Sequence, residues 1–297
     1  MLGIGGGGDV IGSLALARRC EELGTQFVLG GVAWERMPID PHPGPRPSEE
    51  ILNGQPLGPR AVLAGPQTST PEGVAFSETH AAGHLGAETV LIDVSRGATG
   101  AARGIRDAAR ELDCDLALYV DVGGDAIALG DEDGLASPLC DAVMLAAGLR
   151  LSDELPGLLA VLGPGCDGEL TPEQVLERIA ALARAGAWCG TWSVSSSIAD
   201  EVEVAARRSK TEASMQVVRC ARGETGMAEI RGGRRHVPLG PVGALAFVFE
   251  LPAAGPELAL ARAVSESGEL EAARATLDEL GVRSELDYER SRAGEGP

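Results

Sequence analysis

A chain of 297 residues, 44% of them hydrophobic, is long and apolar enough to bury the core of one large α/β domain. A formal net charge of −19 argues against binding to a nucleic-acid backbone, and apolar stretches of only strand length argue against a membrane-spanning helix. Six cysteines without CxxC spacing, and no basic segment before an apolar run, predict a cytoplasmic protein with reduced thiols.

The first motif is the glycine turn GIGGGGDV, which follows a short apolar segment. A helix is predicted over residues 11–23, ended by Gly24, and a buried strand over 26–34. Residues 38–59 are rich in proline and glycine, a composition that predicts a long ordered loop without regular structure. Such loops are commonly functional, so we expect this one to fold over a ligand.

Predicted strands and helices alternate through the middle of the chain. The first of these strands leads through a glycine turn into a helix over 100–112. The next helix, over 171–186, has the clearest start signal, because Thr171, Pro172 and Gln174 fit the N-cap, the first helical position and the capping box. Such alternation is typical of α/β proteins with a doubly wound, mostly parallel sheet. The strands are predicted at 88–94, 115–122, 141–147 and 158–163.

The last third of the chain has a different pattern. Residues 228–251 indicate an antiparallel hairpin turned at Gly232 and Gly233, followed by a long apolar strand, and an amphipathic helix is predicted over 269–281. The polar end of the chain lacks any such pattern. The predicted organisation is a single α/β domain over 1–283, with an antiparallel C-terminal hairpin and helix over about 214–283, and a disordered tail over 284–297.

Most glycine and carboxylate motifs follow directly after predicted strands. In an open parallel sheet, ligands bind outside the carboxyl ends of the strands, so these residues are expected to share one pocket. No bulk composition would place glycines and acids at one sheet edge so regularly. The expected ligand-binding residues are Gly5, Gly6, Gly7, Gly8, Trp34, Glu35, Arg36, Arg46, Asp93, Gly97, Gly123, Gly124, Gly165 and Glu169.

The four glycines of residues 5–8 predict a close approach to the backbone. Glycine lacks a Cβ and tolerates positive φ, and N–H groups at a helix N-terminus attract anions, so we expect a phosphate or carboxylate cradle. From Gly3 the segment also matches G-x-G-x-x-G formally, without a clear acid about twenty residues later. The alternative is that the glycines only allow tight packing of helix on strand.

Asp9 is the first side chain after these glycines, and a carboxylate there would repel a phosphate. Either Asp9 caps the helix, or a divalent cation lies between acid and anion. The segment DVGGD favours the cation, because its glycines let Asp121 and Asp125 turn into one pocket, and carboxylate oxygens suit Mg²⁺ or Ca²⁺. The alternative is that Asp125 caps a short helix over 125–130 and Asp121 pairs with an arginine.

Arginine and tryptophan add candidates around the expected pocket. Arg36 and Arg46 are the expected anion clamps, because arginine makes planar bidentate contacts. Their alternative is an ion pair with Glu35 or Asp40. Trp34 would stack on a base or sugar, or else pack in the core.

Histidine and lysine are scarce. His80 and His84 have the spacing of a metal pair on a predicted helix, but HExxH is absent, and a single role for His80 as ligand contact or proton donor is favoured. Lys210 is the only lysine and follows no glycine-rich strand turn, so a P-loop is excluded and Schiff-base chemistry would depend on this residue.

Two resemblances support this interpretation. The segment DVGGDAIAL resembles part of the calcium-binding aspartate cluster of nucleoside hydrolases, over fewer than ten residues. Over roughly residues 3–250, the segments GGGGDVIGS, GGVAWERMPIDPHPGPR, DVGGDAIALGDEDGLASPLCDAV and GPGCDGEL resemble a family catalogued as domain of unknown function 1152, found in archaea and actinobacteria. That second resemblance implies a Rossmann-like fold and assigns no activity.

We therefore expect an enzyme that hydrolyses or transfers a group at a glycosidic or phosphate bond of a nucleotide, nucleoside or phosphosugar. The expected cation ligands are Asp121, Asp125 and Asp9. The expected catalytic residues are Asp9, Asp125 and Asp167, of which Asp9 or Asp167 would activate water or an acceptor. The alternatives are an NAD(P)- or flavin-dependent oxidoreductase or isomerase, and a nucleotide-sensing protein without turnover. The expected partner is a small molecule, and the sequence is compatible with a homo-oligomer.

Overall fold

Short apolar strands alternate with helices through most of the chain. The structure is a computed structural model, and it describes residues 1–37 and 39–294. The strands are β1 (Leu2–Gly3), β2 (Gly30–Val32), β3 (Leu52–Gly58), β4 (Ala61–Ser69), β5 (Thr89–Ile92), β6 (Ala117–Val122), β7 (Gly157–Leu162), β8 (Trp188–Ser193), β9 (Gly226–Ile230), β10 (Arg235–Leu239) and β11 (Leu245–Glu250). The α-helices are α1 (Asp9–Glu22), α2 (Ser77–Leu85), α3 (Gly97–Glu111), α4 (Pro138–Leu151), α5 (Pro172–Arg184), α6 (Ser196–Ser209), α7 (Glu212–Ala221), α8 (Leu251–Ala254), α9 (Ala259–Ala263), α10 (Leu270–Glu279) and α11 (Glu285–Ala293).

Nine of the described strands form one mixed sheet in the order β3-β4-β5-β2-β1-β6-β7-β11-β8. The central strands β5, β2, β1, β6 and β7 are parallel. Numbered among themselves they have the order 3-2-1-4-5, which is the order of a doubly wound Rossmann sheet. Antiparallel strands extend both edges, β4 and β3 on one side and β11 and β8 on the other. The predicted α/β fold class is confirmed.

The predicted antiparallel addition is also present in the C-terminal third. Strands β9 and β10 form a separate two-stranded sheet. The hairpin turns at Gly232 and Gly233, both of which have positive φ, as the Gly-Gly pair predicts. Strand β11 instead joins the main sheet, where it lies antiparallel between β7 and β8.

Helices cover both faces of the sheet, and successive residues of a strand face opposite layers. In β6, Tyr119 packs with α3 and α4, whereas Val120 packs with α1 and α6. Both side chains are fully buried, so each layer removes a continuous apolar surface from water. Within the described residues, each helix is too short or too polar to cross a bilayer.

Helix α4 corrects one prediction. Residues 141–147, expected to be a strand, lie inside this helix. Nearly every residue of α4 is buried, because it packs against the sheet, α3, α9 and α10. A helix that is apolar on all sides lacks the period of 3.6 that would distinguish it from a buried strand.

The proline- and glycine-rich loop predicted over 38–59 is also partly wrong. Residues 52–58 form β3, which pairs with β4 at the edge of the sheet. An edge strand needs hydrogen bonds on one side only, so Pro56 and the glycines of this segment are tolerated there. Pro38, the first residue of the predicted loop, lies outside the described residues.

The predicted disordered tail is wrong for residues 284–293. Ser284 and Asp287 form a capping box that starts α11, and Leu286 is buried. Glu285 and Glu289 are also buried, because both face the Arg36 guanidinium. The helix is therefore held by buried ion pairs, which an apolar pattern cannot reveal. Residues 295–297 of the predicted tail lie outside the described residues.

Candidate functional site

The acids that follow the predicted strands meet at the centre of the sheet edge. Strand β1 lies between β2 and β6, where the strand order reverses and a crevice opens in doubly wound sheets. Asp9 begins α1 after β1, Asp121 lies near the end of β6, and Asp125 follows it. Asp167 and Glu169 come from the turn after β7. Parallel topology thus brings together residues that are far apart in the chain.

Asp9, Asp121 and Asp141 form what we call the first triad. One carboxylate oxygen from each lies within 4.8 Å of the others. Asp9 Oδ2 accepts a hydrogen bond of 2.9 Å from the Gly5 N–H. Both oxygens of Asp121 and Oδ1 of Asp141 are buried, and no hydrogen-bond partner for them lies in the described part of the chain.

The first triad is electrostatically unfavourable without a cation. Burial raises the pKa of Asp9 to about 7, although the Gly5 N–H and the Arg36 guanidinium act in the opposite direction. Burial and the neighbouring Asp9 raise the pKa of Asp121 well above its usual range. Burial and Asp121 have the same effect on the pKa of Asp141. The triad must therefore hold protons or bind a positive charge.

Asp125, Asp167 and Glu169 form the second triad, with oxygens again within 4.8 Å of one another. Asp167 Oδ2 is buried, and none of the described residues gives it a hydrogen bond. Burial and Glu169 raise the pKa of Asp167 to about 8, and burial and Asp141 raise the pKa of Asp125 well above its usual range. The Asp167 carboxyl group can therefore exchange a proton near neutral pH.

Glu169 differs from the other five acids because its oxygens are well satisfied. It accepts hydrogen bonds from the Ala136 N–H at 2.7 Å, the Ser137 N–H at 2.9 Å and the Ser137 hydroxyl. Arg235 Nη1 also donates to it at 2.8 Å. Glu169 therefore anchors the start of α4 and is less available to a cation than Asp125 or Asp167.

The glycine turn makes room for the protein's own side chains as well as for the cavity. A Cβ at Gly5 would lie 2.7 Å from Asp9 Oδ2, and one at Gly8 would lie 2.0 Å from Thr211 Oγ1. The Gly5 N–H is bound by Asp9, and the Gly7 N–H donates to the Trp34 carbonyl at 2.9 Å. The tight-packing alternative therefore accounts for part of this motif, and two N–H groups of the predicted anion cradle are already used.

A cavity of about 80 Å³ is bordered by the glycine turn, the second triad, and Asp9 and Asp141 of the first triad, whereas Asp121 is outside its lining. Small-molecule pockets are commonly about 300–1,000 Å³, so this space suits a cation with its waters, and a larger ligand would extend through the opening. Its lining includes Gly5, Gly6, Gly7, Gly8, Asp9, Glu35, Arg36, Asp125, Asp141, Asp167, Glu169, Lys210, Thr211 and Arg231.

Arg36 lines the cavity but is already neutralised. Its guanidinium lies 4.3 Å from the Trp34 ring centroid, 3.2 Å from Glu285 Oε1 and 3.9 Å from Glu289 Oε1, and it donates to the Gly5 carbonyl. These contacts support the ion-pair alternative, with acids that the sequence did not indicate. Trp34 is fully buried and its indole N–H donates to Glu289 at 3.0 Å, so the prediction that it stacks on a ligand is corrected.

Three further predicted binding residues lie outside the cavity lining. Arg46 makes two hydrogen bonds of 2.8 Å to Asp40, as its ion-pair alternative proposed. Asp93 accepts hydrogen bonds from the Ser48 and Ser95 N–H groups and from Arg60. Gly97 starts α3, where a Cβ would lie 2.7 Å from Ser267 Oγ. Each has a structural role because its polar or steric contacts are made by the protein itself.

The remaining glycines support the second triad. Gly123 and Gly124 have positive φ, and Gly123 admits Asp167, since a Cβ there would lie 2.2 Å from its carboxyl carbon. Gly165 also has positive φ and packs against Pro172 at the start of α5. Asp125 begins a short 3₁₀ turn, but its side chain makes no cap hydrogen bond there. The capping alternative for Asp125 is thus not supported.

The structure adds residues that sequence reasoning missed. Asp141 was hidden in a segment predicted as a strand, although the carboxylate in an otherwise apolar run is a signal in itself. Lys210 and Thr211 lie between α6 and α7, with no motif to mark them. His84, considered from its spacing as half of a metal pair, lies on α2 and bonds to Glu201 at 3.1 Å.

Comparison with known families matches residues 1–293 to the family described as "Protein of unknown function (DUF1152)". The match covers nearly the whole chain and agrees with the resemblance carried by the glycine and aspartate motifs. No curated protein and no solved structure matches the chain. The chemistry therefore has to be inferred from the site.

Proposed function

The chain belongs to the DUF1152 family, and we propose that it is a divalent-cation-dependent enzyme that hydrolyses or transfers a group at a phosphate or glycosidic bond of a nucleotide, nucleoside or phosphosugar. The proposal rests mainly on the environment of the Asp121 carboxylate. Both of its carboxylate oxygens are buried without a partner among the described residues, next to Asp9 and Asp141. An arrangement so unfavourable in isolation is expected where a ligand completes it.

A cation is the ligand that best fits the first triad. Three carboxylates concentrate negative charge where burial has removed water, and a divalent cation would neutralise it and occupy the unused oxygens. Hard cations such as Mg²⁺, Mn²⁺ and Ca²⁺ prefer oxygen ligands, and Asp9, Asp121 and Asp141 offer only oxygen. The remaining coordination positions would be taken by water and by substrate oxygens.

The second triad would supply the acid–base chemistry. A cation bound by the first triad would polarise a substrate oxygen and lower the pKa of a bound water. Asp167 has a pKa near neutrality and an unpartnered oxygen, which suits a group that takes a proton from water or an acceptor. Asp125, which belongs to the same triad, would assist Asp167 in this proton transfer. Arg235 and Ser137 would hold Glu169, and through it the turn that carries Asp167.

The dinucleotide alternative has less support. Pyrophosphate binding at a Rossmann turn uses N–H groups that face the ligand, and here two of the glycine N–H groups already have protein acceptors. A crowd of acids at that position would also repel a pyrophosphate that carried no cation. A sensing role without turnover differs from the proposal only in its products, so an activity screen separates the two.

Calorimetry with Mg²⁺, Mn²⁺ and Ca²⁺ tests the cation site directly. We expect the wild type to bind one of these cations and Asp121→Asn to lose binding by about 100-fold or more, because a ligand inside a buried carboxylate set is removed. Asp153→Asn is the matched control, since it deletes the same charge from an exposed position outside the cavity lining. Equal binding by wild type and Asp121→Asn would contradict the proposed site.

A substrate screen tests the enzyme part. Purified protein would be incubated with the bound cation and a panel of nucleotides, nucleosides and sugar phosphates, with products followed by mass spectrometry. We expect turnover that requires the cation and falls by about 100-fold or more in Asp167→Asn, with cation binding retained. Cation and nucleotide binding without product from any panel member would favour the sensing alternative.

A further inference from the structure

We propose that Lys210 and Arg231 form an anion-binding rim over the acidic cavity and that this rim binds a phosphate group of the substrate. The inference rests on the proposed function, because Lys210 and Arg231 line the same cavity as the second triad and as Asp9 and Asp141 of the first. It narrows the expected substrates to phosphorylated ones, a nucleotide or a sugar phosphate, and away from a neutral nucleoside.

Lys210 is the only lysine in a chain with a net charge of −19, and it lies at the cavity. It follows the last residue of α6 with a left-handed backbone, φ 57°, and its side chain is exposed. Across residues 1–37 and 39–294, no carboxylate lies within 4.0 Å of its amine. In so acidic a protein, a lysine beside six acids without an ion pair is available to a ligand.

Arg231 reaches the cavity from the hairpin turn between β9 and β10, also with a left-handed backbone, φ 54°. Its N–H donates to both oxygens of Glu212, at 3.1 and 3.0 Å, while the nearest distance from its guanidinium to that carboxylate is 3.8 Å. Glu212 is the first residue of α7, two positions after Lys210. One carboxylate thus holds the hairpin turn against the segment that carries the lysine.

The segment of Lys210 is also fixed against the glycine turn. Thr211 Oγ1 would lie 2.0 Å from a Cβ at Gly8, and the Ser214 hydroxyl donates to the Gly8 carbonyl at 3.2 Å. Four non-glycine residues have positive φ in the described chain, and two of them, Lys210 and Arg231, line this cavity. Lys210 has this conformation as the left-handed cap of α6, and Arg231 has it in the hairpin turn between β9 and β10, so both side chains project from fixed turns.

The charge arrangement identifies the ligand class. The other arginines at this site pair with buried acids, Arg36 with Glu285 and Arg235 with Glu169. Among the described residues, the Arg231 guanidinium has only the half-exposed Glu212, at 3.8 Å, so Lys210 and Arg231 are the cavity cations most accessible to an external anion. A phosphate has enough oxygens to contact these two side chains and a cation held by the first triad at the same time. A neutral sugar or base has no group that would bind to both.

The single lysine allows a direct test by chemical labelling. N-hydroxysuccinimidyl acetate acetylates amines, and the other amine of this sequence is that of Met1, which is half-buried, donates to the Val28 carbonyl at 2.7 Å and is distinguished from Lys210 by peptide mass. Peptide mass spectrometry would follow acetylation of Lys210 with inorganic phosphate, pyrophosphate, AMP or adenosine, each with and without Mn²⁺, at constant ionic strength. We expect the phosphorylated probes to slow acetylation of Lys210 at least several-fold and adenosine to leave it unchanged.

Variants then separate the rim from the cation site. Lys210→Gln and Arg231→Gln are each expected to weaken pyrophosphate binding about tenfold or more, with Mn²⁺ binding unchanged. Arg208→Gln and Arg234→Gln are matched controls that remove the same charge from exposed neighbours outside the cavity lining. Lys210→Arg is expected to retain most of the pyrophosphate affinity.

The outcomes distinguish the two proposals. Protection of Lys210 by phosphate, with or without Mn²⁺, supports the rim even if the protein binds no cation, a result that would reject the proposed function alone. Absence of protection under both conditions, or equal losses of pyrophosphate binding in the control variants, overturns the rim and leaves the cation site standing. Equal protection by adenosine and by AMP would also overturn it.

Discussion

Buried carboxylates inside and outside the first triad are satisfied differently. Asp40 and Asp93 follow β2 and β5, and Glu285 begins α11 against the start of α4; each accepts hydrogen bonds from an arginine and from backbone N–H groups. We call these three residues the ion-paired acids. At the switch point between β1 and β6, Asp121 and Asp141 are equally buried, yet three of their four oxygens have no partner among the described residues.

The difference separates acids that the protein itself satisfies from acids that we propose to bind a ligand. A buried charge that is paired and hydrogen-bonded needs nothing from outside, and its removal damages the fold. A buried charge without partners costs stability, and such a cost is common where a site awaits a ligand. Burial and charge alone do not identify a site here, since both groups of acids have them. An unpartnered oxygen alone does not either, since Glu78 and Glu289 each have one. The proposed site is distinguished by the clustering of such oxygens, those of Asp121 and Asp141 beside Asp9.

The largest effect should come from breaking an ion-paired acid. Arg46→Ala leaves Asp40 buried with its charge uncompensated, so we expect a loss of about 3–5 kcal/mol in the free energy of unfolding, measured with urea. Cation binding should be unchanged, because Arg46 is outside the cavity lining. The double variant Arg46→Ala/Asp40→Ala should recover part of the loss. Weakened ligand binding with unchanged stability would instead restore the anion-clamp role predicted from the sequence.

The acids of the two triads should make stability depend on pH. In the unfolded chain Asp9 and Asp167 ionise near their ordinary pKa of 3.8, whereas in the folded chain their pKa values are about 7 and about 8. Between these limits the folded state binds more protons, so the free energy of unfolding of metal-free protein should fall as pH rises, by about 3 kcal/mol for each of the two groups between about pH 5 and about pH 8.

Urea titrations with a chelator and with excess Mg²⁺ or Mn²⁺ would measure this. The stabilisation by the cation should increase with pH, because the cation competes with protons for the same oxygens. Metal-free stability that rose steadily over this pH range would show that the triads do not control the profile.

An intermediate effect is expected at the C-terminal helix. Glu285 accepts hydrogen bonds from the Leu139 and Cys140 N–H groups and pairs with Arg36. Glu285→Gln removes the charge and part of this network, so we expect a loss of about 2 kcal/mol. Glu279→Gln, which alters an exposed acid on α10, is the control. Equal stability of the two variants would mean that α11 is not tied down by Glu285.

The smallest effect should have the opposite sign. In metal-free protein, Asp121→Asn replaces one of three crowded acids with a neutral amide that can donate to Asp9 or Asp141, so we expect the melting temperature to rise by roughly 2–4 °C. The same variant should no longer be stabilised by the cation. A fall in melting temperature without metal would place Asp121 with the ion-paired acids.

Much of the architecture could be predicted from local pattern. The capping box of Thr171 and Gln174, the hairpin at Gly232 and Gly233 and the parallel strands each depend on residues close in sequence. The acids at the strand ends could be predicted as neighbours because parallel topology brings those ends to one edge. Asp9 and Asp121 are the clearest case.

Prediction was wrong wherever the deciding contact was distant or where a segment was buried on all sides. Helix α4 looked like a strand because it has no exposed face, and that error concealed Asp141. The predicted ligand set also became two triads, since Asp125 lies with Asp167 and Glu169. Asp121 and Asp125 are four residues apart, and that spacing does not show that their side chains belong to different triads.

The sequence by itself determined that this is an α/β chain with a glycine turn and acids at one sheet edge, because strand period, helix caps and turn chemistry are local. Only the tertiary structure decided which charges are satisfied. Arg36 meets Glu285 across 249 positions, so an expected ligand contact became an ion pair. Asp121 meets no such partner in the described chain, and Lys210 meets none either. Pairing depends on which side chains the fold brings within a few ångströms, and sequence separation carries no information about that distance.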